Sequence, residues 1–124
     1  MKLEYMDFEF SDARKAAQLP PDAINASIDL TMAELKDSNL LLDFVYTATY
    51  APHGSYIRIG GKAAFSGPEG KAAYAEWKKT KAVTGTSGEM ILNAINYSAS
   101  LNAVFIARIF NLAPPISPPT IKFK

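Results

Sequence analysis

Apolar and polar residues alternate along the first half of the chain, and this alternation predicts β-strands. The pattern is clearest in residues 23–33, AINASIDLTMA. The apolar positions there are Ile24, Ala26, Ile28, Leu30 and Met32, with polar residues between them. A period of two residues is typical of a half-buried strand. Because one face of such a strand meets water, the pattern favours an antiparallel sheet.

Three further segments show strand patterns. In the first ten residues, Met6, Phe8 and Phe10 alternate with acidic residues. In residues 40–51 the predicted inward face consists of Leu42, Phe44, Tyr46, Ala48 and Tyr50. Residues 55–66 form the last predicted strand, and Gly60-Gly61 within it indicates a bulge or bend.

Helical patterns occupy three other segments. Residues 11–19 predict a short helix that is capped by Ser11 and stopped by Pro20-Pro21. Residues 69–80 place Ala73, Tyr74 and Trp77 at helical spacing and predict a second helix. A long helix is predicted over 88–112, after the capping-box spacing of TSGE at 86–89.

The second half of the long helix is apolar nearly all round. Its segment LNAVFIARIFNL covers residues 101–112. A helix that is apolar on every side has to be buried on more than one side. One side can rest on the sheet, whereas the other needs a second helix, a partner subunit or a ligand. We therefore expect a homo-oligomer.

Prolines follow the long helix and form a biased tail. Pro114 stops the helix, and the later prolines favour an extended backbone. Ile116, Ile121 and Phe123 are spaced as apolar anchors along it. We expect residues 1–124 to form a single α+β domain. It comprises an antiparallel sheet of about four strands, with a short helix and a long C-terminal helix on one face. The proline-rich tail, 113–124, is expected to pack on a surface, although PISP at 115–118 also matches a PxxP ligand.

Composition excludes several classes of chemistry. The 124 residues include no cysteine and one histidine, and the net charge is +1. These values predict no metal site, no cofactor, no catalytic assembly and no nucleic-acid partner. We expect no signal peptide in the first ten residues, which include acidic side chains, and the apolar-rich stretch 101–110 is too short to span a bilayer. We expect a cytoplasmic protein that is not an enzyme and has no membrane partner.

The order of predicted elements resembles SecB, the protein-export chaperone. Strands are followed by a long apolar helix and then by NLAP, Asn111 to Pro114. The chain is also similar to small uncharacterised archaeal proteins with EWKK-like residues (here 76–79) and a terminal proline run (here 114–119). The SecB resemblance implies an oligomer whose apolar grooves hold extended, unfolded polypeptide. The net charge of +1 departs from the acidic SecB pattern.

The leading functional hypothesis is a non-enzymatic, SecB-like chaperone or polypeptide-binding protein. The alternatives are a structural or adaptor subunit of an assembly and a small-ligand-binding domain. Candidate residues for binding polypeptide or a partner are aromatic or aliphatic, and each also suits a core. They are Tyr46, Tyr50, Tyr56, Phe65, Phe105, Phe110 and Ile116.

Overall fold

Within the residues that it describes, a computed structural model shows one antiparallel sheet and two helices, which confirms the predicted α+β class. The structure describes residues 1–16, 21–52 and 54–115. The strands are β1 (Lys2–Arg14), β2 (Ala23–Lys36), β3 (Asn39–Ala51) and β4 (Ser55–Ser66). The helices are α1 (Gly70–Thr80) and α2 (Gly85–Ile109). The strand order is β1-β4-β3-β2, so β1 and β2 are the edges.

Tight turns set the register of the three hairpin-linked strands. Asp37 and Ser38 join β2 to β3, and both have positive φ, as a two-residue hairpin of the primed type requires. Gly54, at φ 78°, turns the chain from β3 into β4, after a cis Ala51-Pro52 peptide bond. As a result, β3 pairs along its length with both neighbours and forms the centre of the sheet.

Both helices pack on one face of the sheet, which we call the inner face. From β3 this face carries Leu40, Leu42, Phe44, Tyr46, Ala48 and Tyr50, all buried. Helix α2 contributes every fourth residue to the same core, namely Ile91, Ile95, Ala99, Ala103 and Ala107. Because alanines occupy its second half, α2 lies close to the sheet there. Helix α1 adds Ala73 and Trp77 near Leu40 and Leu42.

Register shifts in the edge strands place two residues on the outer face of the sheet, although the alternation predicts that they face the core. In β1 the pairing skips Glu4 and Glu9, and in β2 it skips Thr31. Phe10 and Met32 therefore lie on the outer face, 47% and 55% exposed, whereas alternation alone placed them inside. An extra residue in one strand reverses the facing of every residue after it. The irregularity predicted at Gly60-Gly61 is present, but the extra residue lies in β1, opposite these two residues of β4.

The predicted helix over 11–19 is wrong where it can be checked. Residues 11–14 continue β1, with Ser11 opposite Ile59 and Asp12 opposite Arg58. The Asp12 carboxylate accepts a 2.8 Å hydrogen bond from the Arg58 guanidinium, which is available only in an extended backbone. Pairing with β4 therefore overrides the local helical pattern. Residues 17–19 lie outside the described residues.

Helix α2 begins and ends about three residues earlier than predicted. Thr84 is its N-cap residue, and the side chain makes no cap hydrogen bond; its N–H and Oγ1 instead donate to the Glu76 carboxylate of α1. The helix ends at Ile109, where Asn111 takes a left-handed conformation and the Leu112 N–H bonds to the Ala107 carbonyl. The hydrogen bonds from Thr84 to Glu76 of α1 place the start of α2 ahead of the segment with capping-box spacing.

The first residues of the predicted tail pack on the core. Leu112 and Ala113 contact the buried cluster that contains Tyr46 and Tyr50, and Pro115 is fully buried. The Tyr50 hydroxyl donates a 2.6 Å hydrogen bond to the Ala113 carbonyl. The remainder of the predicted tail, 116–124, lies outside the described residues.

Candidate functional site: a groove between β1 and α2

Three of the predicted binding residues are core residues. Tyr46, Tyr50 and Phe65 are at most 1% exposed, because all three lie on the inner face beneath the helices. Burial raises the pKa of Tyr46 to about 12 and also raises the pKa of Tyr50. These side chains hold the fold together and offer no surface to a partner.

Tyr56 belongs to a polar cluster on the outer face of the sheet. Its hydroxyl lies 3.4 Å from Asp12 Oδ2, and the Arg58 guanidinium stacks over its ring at 5.6 Å. Asp12 also pairs with Arg58, so this cluster ties the end of β1 to β4. The contacts support a structural role for Tyr56.

Phe105 is exposed on α2 and Phe110 is exposed directly after its last residue, whereas Ile116 lies outside the described residues. Phe105 is part of a line of large apolar side chains spaced four residues apart, which we call the outer row. Its members are Tyr97 (64% exposed), Leu101 (51%), Phe105 (64%) and Ile109 (75%). The predicted all-round apolar character of α2 is thus confirmed on the folded surface. No described segment covers this row.

An open groove lies beside the outer row, between α2 and edge strand β1. The cavity has a volume of about 540 Å³. Its lining consists of Phe8, Glu9, Phe10, Ser11, Ile59, Asn102, Phe105 and Ile106. Glu9 is the single charged residue in that set, at the position where β1 bulges. The groove therefore combines apolar side chains, a strand edge and one carboxylate.

The two glycines of β4 bring β1 into position for this groove. A Cβ on Gly61 would overlap the carbonyl oxygen of Asp7, so the β1 backbone passes directly over this residue. A Cβ on Gly60 would overlap the ring of Phe10, which lies on the outer face. On the inner face, Phe8 packs edge-on against Phe44 with ring centroids 6.0 Å apart. The glycines thus fix the wall of the groove that β1 supplies.

The described residues contain no group of three or more histidine, cysteine, aspartate or glutamate side chains that could hold a metal ion. His53 falls outside them. By length and composition alone, α2 is apolar enough to cross a membrane, a property that it shares with the core helices of other folds. Here its buried row contacts the sheet.

No family model, curated protein or solved structure matches the chain. The resemblance to SecB therefore stays a prediction, and the groove is interpreted from its own residues.

Sequence reasoning found Phe105 but missed the rest of the groove. Phe8 was predicted only as a strand residue, and Ser11 was placed in a helix. The available signal was Gly60-Gly61, since adjacent glycines in a strand indicate close approach of another backbone. The sequence did not reveal which strand approaches, because strand order depends on long-range pairing.

Proposed function

We propose that this protein is a non-enzymatic polypeptide-binding protein that, like SecB, holds non-native segments in an apolar groove. The observation that carries the proposal is the groove between β1 and α2, where apolar side chains lie next to an open strand edge. At this groove an extended segment meets both kinds of partner that it needs.

An extended, unfolded segment exposes its backbone N–H and C=O groups as well as apolar side chains. The free edge of β1 can satisfy the backbone groups by strand addition. On the helix side of the groove, Ile106 can contact the side chains of the segment. Both contributions are independent of the sequence of the segment, which suits a protein that holds many clients.

The bulges in β1 limit how much backbone can pair. Register shifts at Glu4 and Glu9 interrupt the edge, and both interruptions place a carboxylate there. Bulges and charges on edge strands hinder continuous sheet growth. Short, reversible pairing would hold a client without nucleating an aggregate, as a holding chaperone requires. We further propose a homo-oligomer in the cytoplasm as the working form.

The outer row of α2 favours one alternative, an adaptor subunit with a single fixed partner. Large apolar side chains there are at least half exposed. An adaptor would bury the row only against that partner and would not act on unrelated unfolded proteins. The two functions therefore differ in their effect on a generic client.

The test is light scattering of chemically reduced insulin, whose B chain aggregates, with increasing amounts of the protein. Near-stoichiometric protein should suppress the scattering. Ser11→Glu places a charge in the groove from an exposed position and should weaken suppression several-fold. The matched control is Ser27→Glu, an exposed serine on the other edge strand, and it should act like the unmodified protein. Absence of suppression by the unmodified protein, also with a second aggregating client, would contradict the proposal and favour an adaptor.

A further inference from the structure

We infer that the outer row is the contact between two copies of this chain, with their α2 helices crossing antiparallel about a two-fold axis between Leu101 and Phe105. This inference deepens the oligomeric part of the proposed function. It does not depend on whether the groove binds clients.

The row has the geometry of a helix-packing ridge. Its residues, Tyr97 to Ile109 at intervals of four, lie two positions from the buried row that contains Ala99, Ala103 and Ala107. Two positions on a helix correspond to about 200°, so the row faces away from the core, and Phe105 is the member that also lines the groove. Ridges of this spacing interdigitate in the commonest class of helix pair, which crosses at about −50°. A second α2 presents the matching ridge.

The chemistry of the row favours an identical partner. From Met90 to Ile109, Arg108 is the single charged residue of α2, and it lies near the C-terminal end of the row. A two-fold axis midway along the row places Leu101 against Phe105 of the other copy, and Tyr97 towards Ile109. The centre of the contact then consists of apolar groups, with the Tyr97 hydroxyl of each copy farther out. The two-fold axis places the two Arg108 side chains at opposite ends of the contact, so they do not meet. The helix dipoles also run in opposite directions, which is favourable.

The area of the row supports a dimer only together with the flanking faces of α2. Aromatic side chains bury on the order of 150–250 Å² each, so four large residues at half to three-quarters exposure present on the order of 400 Å². A stable interface buries about 800 Å² on each partner. The row alone supplies about half of this area, and the flanking faces of α2 can add the remainder. The β1 wall of the groove, with Phe8 and Ser11, lies outside the contact.

Sedimentation equilibrium of the full chain tests the contact. The unmodified protein should have the mass of a dimer or an even multiple of it. Leu101→Glu puts two carboxylates near the axis and should raise the dissociation constant at least about tenfold, a change equivalent to 1.4 kcal/mol. Thr86→Glu adds the same charge to an exposed position of α2 outside the row and should leave the mass unchanged. Leu101 is about half exposed, so circular dichroism should show an intact fold for the variant.

Disulfide formation supplies a second, independent readout, because the chain has no cysteine of its own. Mixed Leu101→Cys and Phe105→Cys proteins should form the heterodimeric disulfide faster than a mixture of Leu101→Cys and Thr86→Cys. A monomeric unmodified protein, or an oligomer whose mass Leu101→Glu leaves unchanged, would overturn the inference. A monomer that still suppresses insulin aggregation would contradict the helix contact and leave the proposed function in place. A dimer that does not suppress aggregation would support the helix contact and contradict the proposed function.

Discussion

The close passage of β1 over β4 predicts that two neighbouring glycines respond differently to the same substitution. Gly61→Ala places a methyl group against the Asp7 carbonyl, which belongs to the backbone of β1. Gly60→Ala places it against the ring of Phe10, which is 47% exposed and can rotate away. The first substitution must displace a strand, whereas the second must displace only a side chain.

Two opposing contributions determine how each substitution changes the free energy of unfolding. Overpacking that moves backbone costs about 1–3 kcal/mol, and sometimes more. Replacing glycine with alanine at a compatible backbone conformation returns about 0.4–1 kcal/mol through the unfolded chain. We therefore expect Gly61→Ala to lower the free energy of unfolding by about 2 kcal/mol or more. Gly60→Ala should change it by less than about 1 kcal/mol in either direction.

Urea denaturation followed by the fluorescence of Trp77 measures both variants at one protein concentration. At about 4 °C per kcal/mol, thermal melting should show Gly61→Ala lower by about 8 °C or more. Gly61→Ala should also weaken insulin suppression, because β1 forms one wall of the groove. Equal effects of the two substitutions, or a larger effect at Gly60, would refute the account of how β1 is positioned.

Two further predictions concern polar contacts around the helices. Hydrogen bonds from Thr84 lower the pKa of the Glu76 carboxyl below its ordinary value of 4.5. Its contribution to stability is therefore present above pH 4.5 and is lost as the pH falls through the lower, folded-state pKa. The melting temperature of Glu76→Gln should therefore fall less between neutral and acidic pH than that of the unmodified protein. Tyr50→Phe should cost about 0.5–1.5 kcal/mol in urea denaturation, because its hydroxyl donates to Ala113. Tyr46→Phe should be neutral or stabilising, because the buried Tyr46 hydroxyl has no hydrogen-bond partner in the described chain, and an equal cost for both would contradict this assignment.

The strands were predicted well wherever local alternation continues without interruption. Residues 55–66 match β4, and 40–51 match β3 to within one residue. Both strands have a neighbour on each side and pair with each other without a register shift, so the local pattern and the long-range pairing agree. The edge strands were predicted less well, because one inserted residue at Glu9 or Thr31 reverses the facing of every later residue in the strand.

The candidate site depended on contacts that a single segment does not encode. The outer row was visible in the sequence because its spacing lies within one helix. Tyr46, Tyr50 and Phe65 have the composition of binding residues, and only the position of α2 above them shows that they are core. Ser11 required knowledge that β1 pairs with β4, a partner more than forty residues away in the chain.

Hydrogen exchange detected by mass spectrometry tests the central claim most directly. Amide exchange is compared for the protein alone and with reduced, carboxymethylated α-lactalbumin, which stays unfolded. The account predicts slower exchange with the client in residues 4–12 of β1, since the N–H groups of this segment that face away from β4 would bond to the client's backbone. The amides of β2, at the opposite edge of the sheet, should be unchanged. Unchanged exchange in β1, or protection confined to β2, would contradict the assignment of the groove as the binding site.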